Sequence, residues 1–532
     1  MFVTRVLTKA LFAPLLQFDN LDLSLHSSLD APKVLPSKGL FSPKSVHMMP
    51  PDRHLENCLG NEDDTSLPAE ISDWDRSDNL TNPMNWSASK KIMTVGTVSV
   101  FNFLTPLGSA MFAPGVTQVM NDFHSTSKPI SSFVVSVYLL GFAFGPLVVA
   151  PLSELYGRLP LYHACNVLFT VFNIACAVSP SMSSLIAFRF LAGSFGSAPL
   201  ALGAGTLADC IAPDRRGLAI SVWAIGPVIG PVVGPVCGGF LTQYVSWRWV
   251  FWVLAIAAGI VTVTSFVILR ETYAPILLER QAKRLRRKES NSNSPSTLHT
   301  NKSPRALFMK SIVRPLQLLV LSPTVFLLSV YVAVVYGIMY LLFTTMSQVY
   351  REQYHFSASI VGLTYIGLGL GSMLGLVVTG RFSDPISRHL AARGKEGVKK
   401  PEFRLALMIP MSLCLPIGLI WYGWSAEKQV HWIMPIIGTG WVGVGVVAVF
   451  TAIQTYLVEA FTAQAASAAA ANTVLRSLLG AVLPLAGPSM YDALGLGWGN
   501  SLLALIALLI FPLSLAFFKF GERIRMKFPI AP

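Results

Sequence analysis

The sequence predicts an all-α, polytopic membrane protein whose twelve transmembrane helices form two six-helix bundles. Three observations lead to this fold class. Apolar residues make up 53% of the 532-residue chain and charged residues only 13%, with a mean hydropathy of +0.56, whereas about a quarter of a soluble chain is charged. The apolar residues form runs of about 20, which is long enough for a helix to cross a bilayer. Finally, a polar pattern that closes one apolar run returns 230 positions later.

The repeated pattern reads VVAPLSELYGRLPL at 148–161 and VTGRFSDPISRHLA at 378–391. Each copy ends a long apolar run and leads into charged residues. Three residues of the first copy correspond to residues of the second: Ser153 to Ser383, Glu154 to Asp384 and Arg158 to Arg388. The same offset relates two glycines that precede each copy, Gly141 to Gly371 and Gly145 to Gly375. Two apolar spans that end in the same pattern indicate an internal duplication, and hence two similar halves.

Twelve apolar spans are predicted, at about 92–112, 130–151, 160–178, 184–208, 217–241, 249–269, 321–346, 358–380, 404–423, 431–457, 464–487 and 498–518. We number them span 1 to span 12. The chain then divides into a disordered tail (1–89), a first bundle (90–270), a basic central loop (271–320), a second bundle (321–518) and a short C-terminal tail (519–532). Within the central loop, 279–289 predicts a basic helix and 290–304 a flexible linker. The basic helix could lie on the anionic inner leaflet, but a solvated tether whose charge sets the topology is the favoured interpretation.

The distribution of Lys and Arg predicts the orientation. Segment 275–315 carries ten, 381–404 carries seven and 519–532 carries four. The loops of the opposite face carry four between them: Lys128, Arg248, Arg351 and Lys428. Because positive residues stay inside, we expect both termini and the central loop to be cytosolic. The net charge of +13 then reflects topology, and we expect no nucleic-acid partner.

No catalytic pattern is present. The six cysteines form no CxxC pair and the nine histidines no HExxH motif, so neither a metal site nor a disulfide framework is expected. A nucleophile elbow and a P-loop are also missing. We therefore expect no enzyme and no cofactor, and without an ATP site uphill transport would draw on an ion gradient.

The loop between spans 2 and 3 is a candidate gate. It contains Ser153, Glu154, Gly157 and Arg158, where the acid and the arginine can pair with each other or with a neighbouring helix. Gly157 allows a tight turn that a side chain would obstruct. A loop that only ends a hairpin is the alternative, but the second copy at 383–388 favours a gate.

Span 5 carries the most specific signal, WAIGPVIGPVVGPVCGGFL. Its glycines recur every four residues and form one stripe on a helix, which allows close helix–helix approach in lipid: Gly226, Gly230, Gly234 and Gly238. The prolines beside them remove backbone donors and bend the helix: Pro227, Pro231 and Pro235. We expect this stripe to rock against the glycine-rich span 8 (Gly367, Gly369, Gly371, Gly375); static packing is the alternative.

Arg189 lies inside span 4. A charge at the centre of a membrane helix costs about 2.5–3.5 kcal/mol on insertion scales, so it should face a cavity or a partner. Snorkelling to the interface is the alternative. Other polar groups at membrane depth or near span ends could line a cavity or bond between helices: Asn102, Asp209, Tyr336, Tyr340, Gln454, Glu459, Asn472 and Arg476.

These features resemble the major facilitator superfamily and, within it, the fungal twelve-span drug:proton antiporters. The resemblance covers residues 74–525 and rests on the loop 152–158, the span-4 arginine with Gly193, and the span-5 stretch 226–239. Further matching stretches are NPMNW at 82–86, SWRWVFW at 246–252, RETYAPILLERQAKRLR at 270–286, PEFRL at 401–405 and AAANTVLRSLLGAVLPL at 469–485.

The resemblance implies a central cavity that opens alternately to each side, and proton-driven export of drugs, toxins or secondary metabolites across the plasma membrane by a monomer. It assigns Arg189 to proton coupling and the span-5 Gly-Pro stretch to an antiport hinge. The chain departs from the pattern at Glu154, usually Asp, and at Asn102, which cannot titrate where some antiporters have an acid. Asp209 and Glu459 remain as candidate proton carriers.

Two other functions are consistent with the same architecture. One is a proton-coupled importer or facilitator of a small nutrient such as a polyamine, for which few cavity carboxylates are available. The other is a transporter-like sensor that signals through residues 1–89 and the central loop, although neither segment contains a recognisable partner domain.

Overall fold

The computed structural model describes residues 79, 81–289, 304–393, 400–461 and 464–527. In this part of the chain eleven helical segments are long and apolar enough to cross a bilayer. Spans 1 to 6 are Ala88–Asp122, Lys128–Tyr156, Arg158–Ala177, Met182–Cys210, Ala219–Tyr244 and Trp247–Ile268. Spans 7 to 10 are Pro323–Tyr354, Ala358–Arg393, Pro401–Glu427 and Ile433–Ala460. Most of the predicted tail (1–78) and the predicted linker (290–303) lie outside the described residues.

The last segment, Ser467–Lys527, contains both span 11 and span 12. As a straight helix its 61 residues would extend about 90 Å, at 1.5 Å per residue, about three times the thickness of the bilayer core. Gly495 breaks it with φ 75° and ψ 175°. Tyr491 donates a hydrogen bond to Asn500, at 3.1 Å, across the break, so the two arms run side by side. The prediction of twelve spans is therefore confirmed.

Local sequence sets where several spans begin. Ser181 and Ser184 form a capping box at the start of span 4, and Ser246 and Ser322 accept backbone N–H groups at the starts of spans 6 and 7. Each serine satisfies a donor that would otherwise have no partner in the first turn. Pro323, at the first position of span 7, has no N–H to satisfy there.

In each half, glycines bring the second and fourth helices of that half into backbone contact. In the first half, a Cβ on Gly141 of span 2 would lie 2.3 Å from the Ser194 nitrogen of span 4. In the second half, a Cβ on Gly371 of span 8 would lie 1.8 Å from the Gly440 oxygen of span 10. Both positions belong to the repeat, so the duplication read from the sequence appears as the same helix packing in each half.

The spans differ in how far they are enclosed by the rest of the protein. The apolar part of span 1 is 89% buried, whereas those of spans 3 and 6 are each 33% buried. Val263, Val267 and Leu509 are among the exposed apolar side chains. Apolar side chains that face outward along a span are expected where lipid replaces water. Span 1 therefore lies inside the bundle, and spans 3 and 6 lie at its surface.

The structure departs from the predicted boundaries at two places. The folded chain begins before residue 90, because Pro83–Asn85 form a turn of 3₁₀ helix and the flanking Asn82 and Trp86 are buried. The central segment contains the predicted basic helix, as Ala274–Glu289, and also a second helix, Pro304–Leu321, that was not predicted. Leu318 of this second helix is buried while Val320 is 81% exposed, so one of its faces packs on the protein.

Substitution of Gly371 by alanine tests the role of the glycine contacts. Because its Cβ would meet the Gly440 oxygen at 1.8 Å, we expect G371A to destabilise the fold by about 1–3 kcal/mol through overpacking. The apparent unfolding temperature of the purified protein, followed by fluorescence-detected size exclusion, measures this loss.

Gly380, on the same helix, provides the matched control, since nothing lies within 4 Å of its Cβ position. G380A should leave stability unchanged or raise it by up to about 1 kcal/mol, because alanine favours helix. Equal losses in the two variants would contradict the packing explanation.

Candidate functional site

Arg158 opens span 3 and forms an ion pair with the last turn of span 4. Its Nε lies 2.6 Å from Oδ2 of Asp209, and the two side chains are 16% and 20% exposed. Gly205 leaves space for the guanidinium, since a Cβ there would lie 2.1 Å from Nη1. The sequence allowed Arg158 to pair either with Glu154 or with a neighbouring helix, and the structure shows the pairing with a neighbouring helix. Asp209, predicted as a cavity or proton residue, thus lies beside Arg158 at one end of the bundle. We call this end the Arg158 end.

Glu154, the acid of the same loop, is exposed and makes no hydrogen bond or ion pair with another described residue. Ser153 bonds locally, from its Oγ to the Ala150 oxygen at 2.7 Å. The signature acid and serine therefore do not hold Arg158 in this conformation.

Glu271, which follows span 6, was not singled out from the sequence. Its carboxylate accepts the backbone N–H groups of Arg158 at 3.0 Å and Leu159 at 3.3 Å, and it is 5% exposed. It therefore caps the N-terminus of span 3, where a negative charge is stabilised. Gly157 has φ +96°, and a Cβ there would lie 2.2 Å from the Glu271 carboxylate. Residue 157 must therefore be glycine for two reasons: its φ angle is positive, and a side chain would collide with the Glu271 carboxylate.

The second half builds a similar cluster around Arg404 at the start of span 9. Arg404 donates to Glu459 of span 10 at 2.9 and 2.7 Å and to Ser383 of span 8 at 3.3 Å, and it also pairs with Asp384. Arg388, the arginine that the 230-residue offset selected, is exposed and has no ion-pair partner among the described residues. Span 9 is the counterpart of span 3, so Arg404 occupies in the second half the place that Arg158 occupies in the first, while the gating role of Arg388 stays a prediction.

The span-5 glycine stripe packs on span 1, not on span 8. Cβ atoms at Gly226, Gly230, Gly234 and Gly238 would meet the backbone of residues 102–111 at 1.8 to 2.9 Å. Span 8 packs against another face of span 5, where a Cβ on Gly362 would lie 2.5 Å from the Pro235 oxygen. The predicted partner of the stripe was therefore wrong, because a periodic pattern identifies a close-packing face without identifying what packs there. The stripe joins helices within one half.

Arg189 is 1% exposed and lies against three aromatic rings. Its guanidinium carbon is 4.9 Å from the Phe112 ring, 5.4 Å from Tyr138 and 5.7 Å from Phe251. It donates to the backbone oxygens of Ser109, at 3.3 Å, and Val135, at 3.2 Å. The arginine thus faces protein partners and does not snorkel.

A chain of contacts leads from Arg189 into the second half. Ser109, whose carbonyl binds Arg189, has its hydroxyl 3.0 Å from that of Tyr340 in span 7. The Tyr340 ring packs on Tyr336 at 5.0 Å, and Tyr336 lies 5.1 Å from the Arg476 guanidinium of span 11. The structure therefore brings four of the residues that the sequence proposed for coupling or cavity roles into one connected series.

The remaining predicted polar residues form hydrogen bonds between spans. Asn102 is fully buried and donates to the Trp223 oxygen of span 5 at 2.8 Å, so it joins spans 1 and 5. Asn472 of span 11 donates to Gln454 of span 10 at 3.0 Å, one turn from Arg476. Asn472 and Gln454 therefore belong with Arg476, whereas Asn102 is part of the packing of the first half.

Five polar contacts between described residues of the two halves lie between the bundle centre and the end that carries Asp492. The two deeper ones are Ser109 with Tyr340 at 3.0 Å and Ser136 with Ala481 at 2.8 Å. The three outer ones are Lys128 with Asp492 at 2.7 Å, Arg351 with the Pro114 oxygen at 2.9 Å, and Gln243 with the Ser359 nitrogen at 2.8 Å. The Asp492 end is therefore closed, while the arginine clusters of the opposite end each lie within one half.

The comparisons with known sequences agree with this architecture. A family model described as Major Facilitator Superfamily matches residues 98–484. The chain is 54% identical over 466 residues to the MFS-type transporter penM of Penicillium rubens, covering 88% of this chain and 91% of that protein. It is 49% identical over 455 residues to the efflux pump radE of Floropilus chiversii, covering 86% and 85%.

The solved structures that resemble this chain have the same fold. The xylose transporter XylE of E. coli aligns with a TM-score of 0.61 at 16% identity, over 81% of this chain and 98% of XylE. A bacterial homologue of the human lysosomal transporter Spinster aligns with a TM-score of 0.59 at 14% identity, over 84% and 100%. This likeness confirms the predicted fold class.

Replacement of Asp209 by asparagine tests the Arg158 ion pair. The substitution keeps the size of the side chain and leaves a largely buried guanidinium without its counter-ion. We expect a loss of about 1–3 kcal/mol in stability, measured as a fall in the apparent unfolding temperature.

The control is D492N, which breaks the exposed pair with Lys128, whose side chains are 51% and 56% exposed. An exposed pair contributes about 0–1 kcal/mol, so D492N should change stability less than D209N. A reversed order would show that Arg158 does not depend on Asp209.

Proposed function

The chain belongs to the Major Facilitator Superfamily, and on that premise we propose that it exports small hydrophobic molecules by proton antiport. It is a multi-pass membrane transporter of small molecules and not an enzyme. The proposal adds a direction, an energy source and a substrate range. Drugs, toxins or secondary metabolites would leave the cytosol through a cavity between the two halves, which opens alternately to each side.

The observation that carries the proposal is the series from Arg189 to Tyr340. Arg189 binds the backbone oxygen of Ser109, and the hydroxyl of the same serine contacts Tyr340 across the interface between the halves. A movement of one half against the other must therefore break or remake a contact one residue removed from a buried charge. Such a contact can couple the surroundings of Arg189 in the first half to the position of the second half.

The orientation follows from the positive residues. Segment 381–404 and the C-terminal 519–532 carry eleven Lys and Arg residues, so we place the Arg158 end in the cytosol together with both termini. With the Asp492 end closed, the structure then represents a transporter that faces inward. We propose a monomer in the plasma membrane. The efflux pump radE supports export because it shares 49% identity with this chain.

We propose Asp209 and Glu459 as the residues that respond to protons. Each pairs with an arginine at the cytosolic end of its half, Asp209 with Arg158 at 2.6 Å and Glu459 with Arg404 at 2.7 Å. Protonation of either acid would remove one charge of its pair and weaken it. The proton gradient would thereby act on the helices that shape the cytosolic opening. No observation favours the polyamine importer or the sensor.

Accumulation of a fluorescent lipophilic dye in a pump-deleted yeast strain tests the proposal. Cells that express the protein should accumulate less dye than vector controls, and a protonophore should abolish the difference. R189A should raise accumulation to the vector level at unchanged surface abundance, because alanine leaves the Ser109 and Val135 carbonyls without their donor.

The matched control is R523A, which removes an exposed arginine near the end of span 12 and should retain efflux. Unchanged efflux in R189A would remove the assigned role of the arginine. Efflux that persists with the protonophore present would rule out proton coupling.

A further inference from the structure

The interior of the bundle carries two arginines, Arg189 and Arg476, without a carboxylate at the same depth among the described residues. The described carboxylates of the spans and of the adjoining turns lie toward the two ends: Asp122, Glu154, Asp209, Glu271, Glu352, Asp384, Glu402, Glu427, Glu459, Asp492 and Glu522. A region lined by charges of one sign with low-dielectric walls attracts ions of the opposite sign. The centre of this transporter is therefore electropositive.

The two arginines differ in whether their donors are used. Arg189 is fully enclosed and bonds to two backbone oxygens. Both have a buried Nε without an acceptor, but Arg476, which is 9% exposed, makes no hydrogen bond with any other described residue and lies against the Phe450 and Tyr336 rings. A guanidinium has five N–H donors, and buried donors are nearly always satisfied. The unused donors of Arg476 thus indicate an acceptor that the described chain does not supply.

Arg476 lies on the face of span 11 that looks toward the other half. Gly480, one turn further along the same face, leaves a gap in which a Cβ would lie 3.0 Å from both Leu139 of span 2 and Tyr336. Ser136 of span 2 donates to the Ala481 oxygen beside it. Arg476 therefore lies on the side of the second half that faces the first, next to the cavity proposed above.

The surroundings of Arg476 fit an apolar molecule with one acidic group. The Phe450 and Tyr336 rings lie 4.8 and 5.1 Å from the guanidinium, and they provide apolar walls that accept no conventional hydrogen bond from its N–H groups. Carboxylates match the planar fork of arginine with two parallel bonds.

We propose that this transporter carries organic anions, with Arg476 as the residue that binds the acidic group between Tyr336 and Phe450. This inference names a substrate class for the exporter proposed above and rests on that function. The same charges disfavour a polyamine, which would meet two like charges and no carboxylate at the centre of the pathway.

Three probes with one ring system and different charge test this substrate class. The probes are 2-naphthylacetate, its neutral amide and the corresponding 2-naphthylethylamine, titrated into the purified full-length protein in detergent by isothermal calorimetry at neutral pH. We expect the acid to bind about tenfold or more tightly than the amide, the gain of one charge-assisted contact, and the amine to bind weakest. R476Q should reduce the preference for the acid to within about threefold.

Two variants keep the test decisive. R476K retains the charge and should preserve part of the preference, and R523Q, which removes an exposed arginine, should preserve all of it. Unfolding temperatures verify that each variant is folded. Binding that does not favour the acid, including no binding of any probe, would overturn the proposal, as would an acid preference that survives R476Q. Since binding in detergent requires no gradient, it can succeed where efflux fails and fail where efflux succeeds.

Discussion

A guanidinium at membrane depth must find partners inside the protein, and around Arg189 this requirement fixes how four helices meet. No carboxylate neutralises this arginine among the described residues, so backbone oxygens of Ser109 and Val135 and three aromatic rings take that role. These partners come from spans 1, 2 and 6, while the arginine itself comes from span 4. Displacement of any one of these spans would leave a buried charge partly unsatisfied, which is costly in a low-dielectric interior.

Close backbone contact between helices is the second constraint. Lipid provides no hydrophobic drive for helices to associate, so packing of small residues has to hold them together. Glycines join span 2 to span 4, span 8 to span 10, and span 5 to span 1. Each half is thereby held internally by tight backbone contacts. Between the halves, Gly362 of span 8 also lies close to the Pro235 oxygen of span 5, but the contacts there include the exposed Lys128–Asp492 pair. Rigid halves joined in part by weaker contacts suit movement as two bodies.

The sequence was informative where a local pattern determines the structure. Apolar length predicted the twelve spans, including the two that share a helical segment broken at Gly495. The offset of 230 residues indicated two similar halves, and Gly141 and Gly371 do pack in equivalent ways. The offset did not point to Arg404, because the loop before span 9 is longer than its counterpart. The structural role belongs to Arg404, which pattern matching within the repeat could not select.

Contacts between residues that are far apart in the chain could not be predicted from the sequence, for a physical reason. A glycine stripe shows that a close neighbour exists, but the choice of span 1 over span 8 depends on how all the helices pack. Likewise, Arg158 has Glu154 only four residues away in the sequence, but it binds Asp209, which is 51 residues away. Glu271 caps span 3 from 113 residues away, and only its position inside a family-like stretch could have drawn attention to it.

In the proposed transport cycle two rigid halves rock against each other, so that one end of the bundle closes as the other opens. Spin labels in a cysteine-free protein test it most directly, with one pair at the Arg158 end (Tyr156 and Arg388) and one at the Asp492 end (Thr126 and Lys428), all four exposed. Pulsed electron–electron resonance in nanodiscs, with and without acidification, measures both distances. We expect the first distance to shorten while the second lengthens. Two distances that change in the same direction, or that do not change, would contradict it.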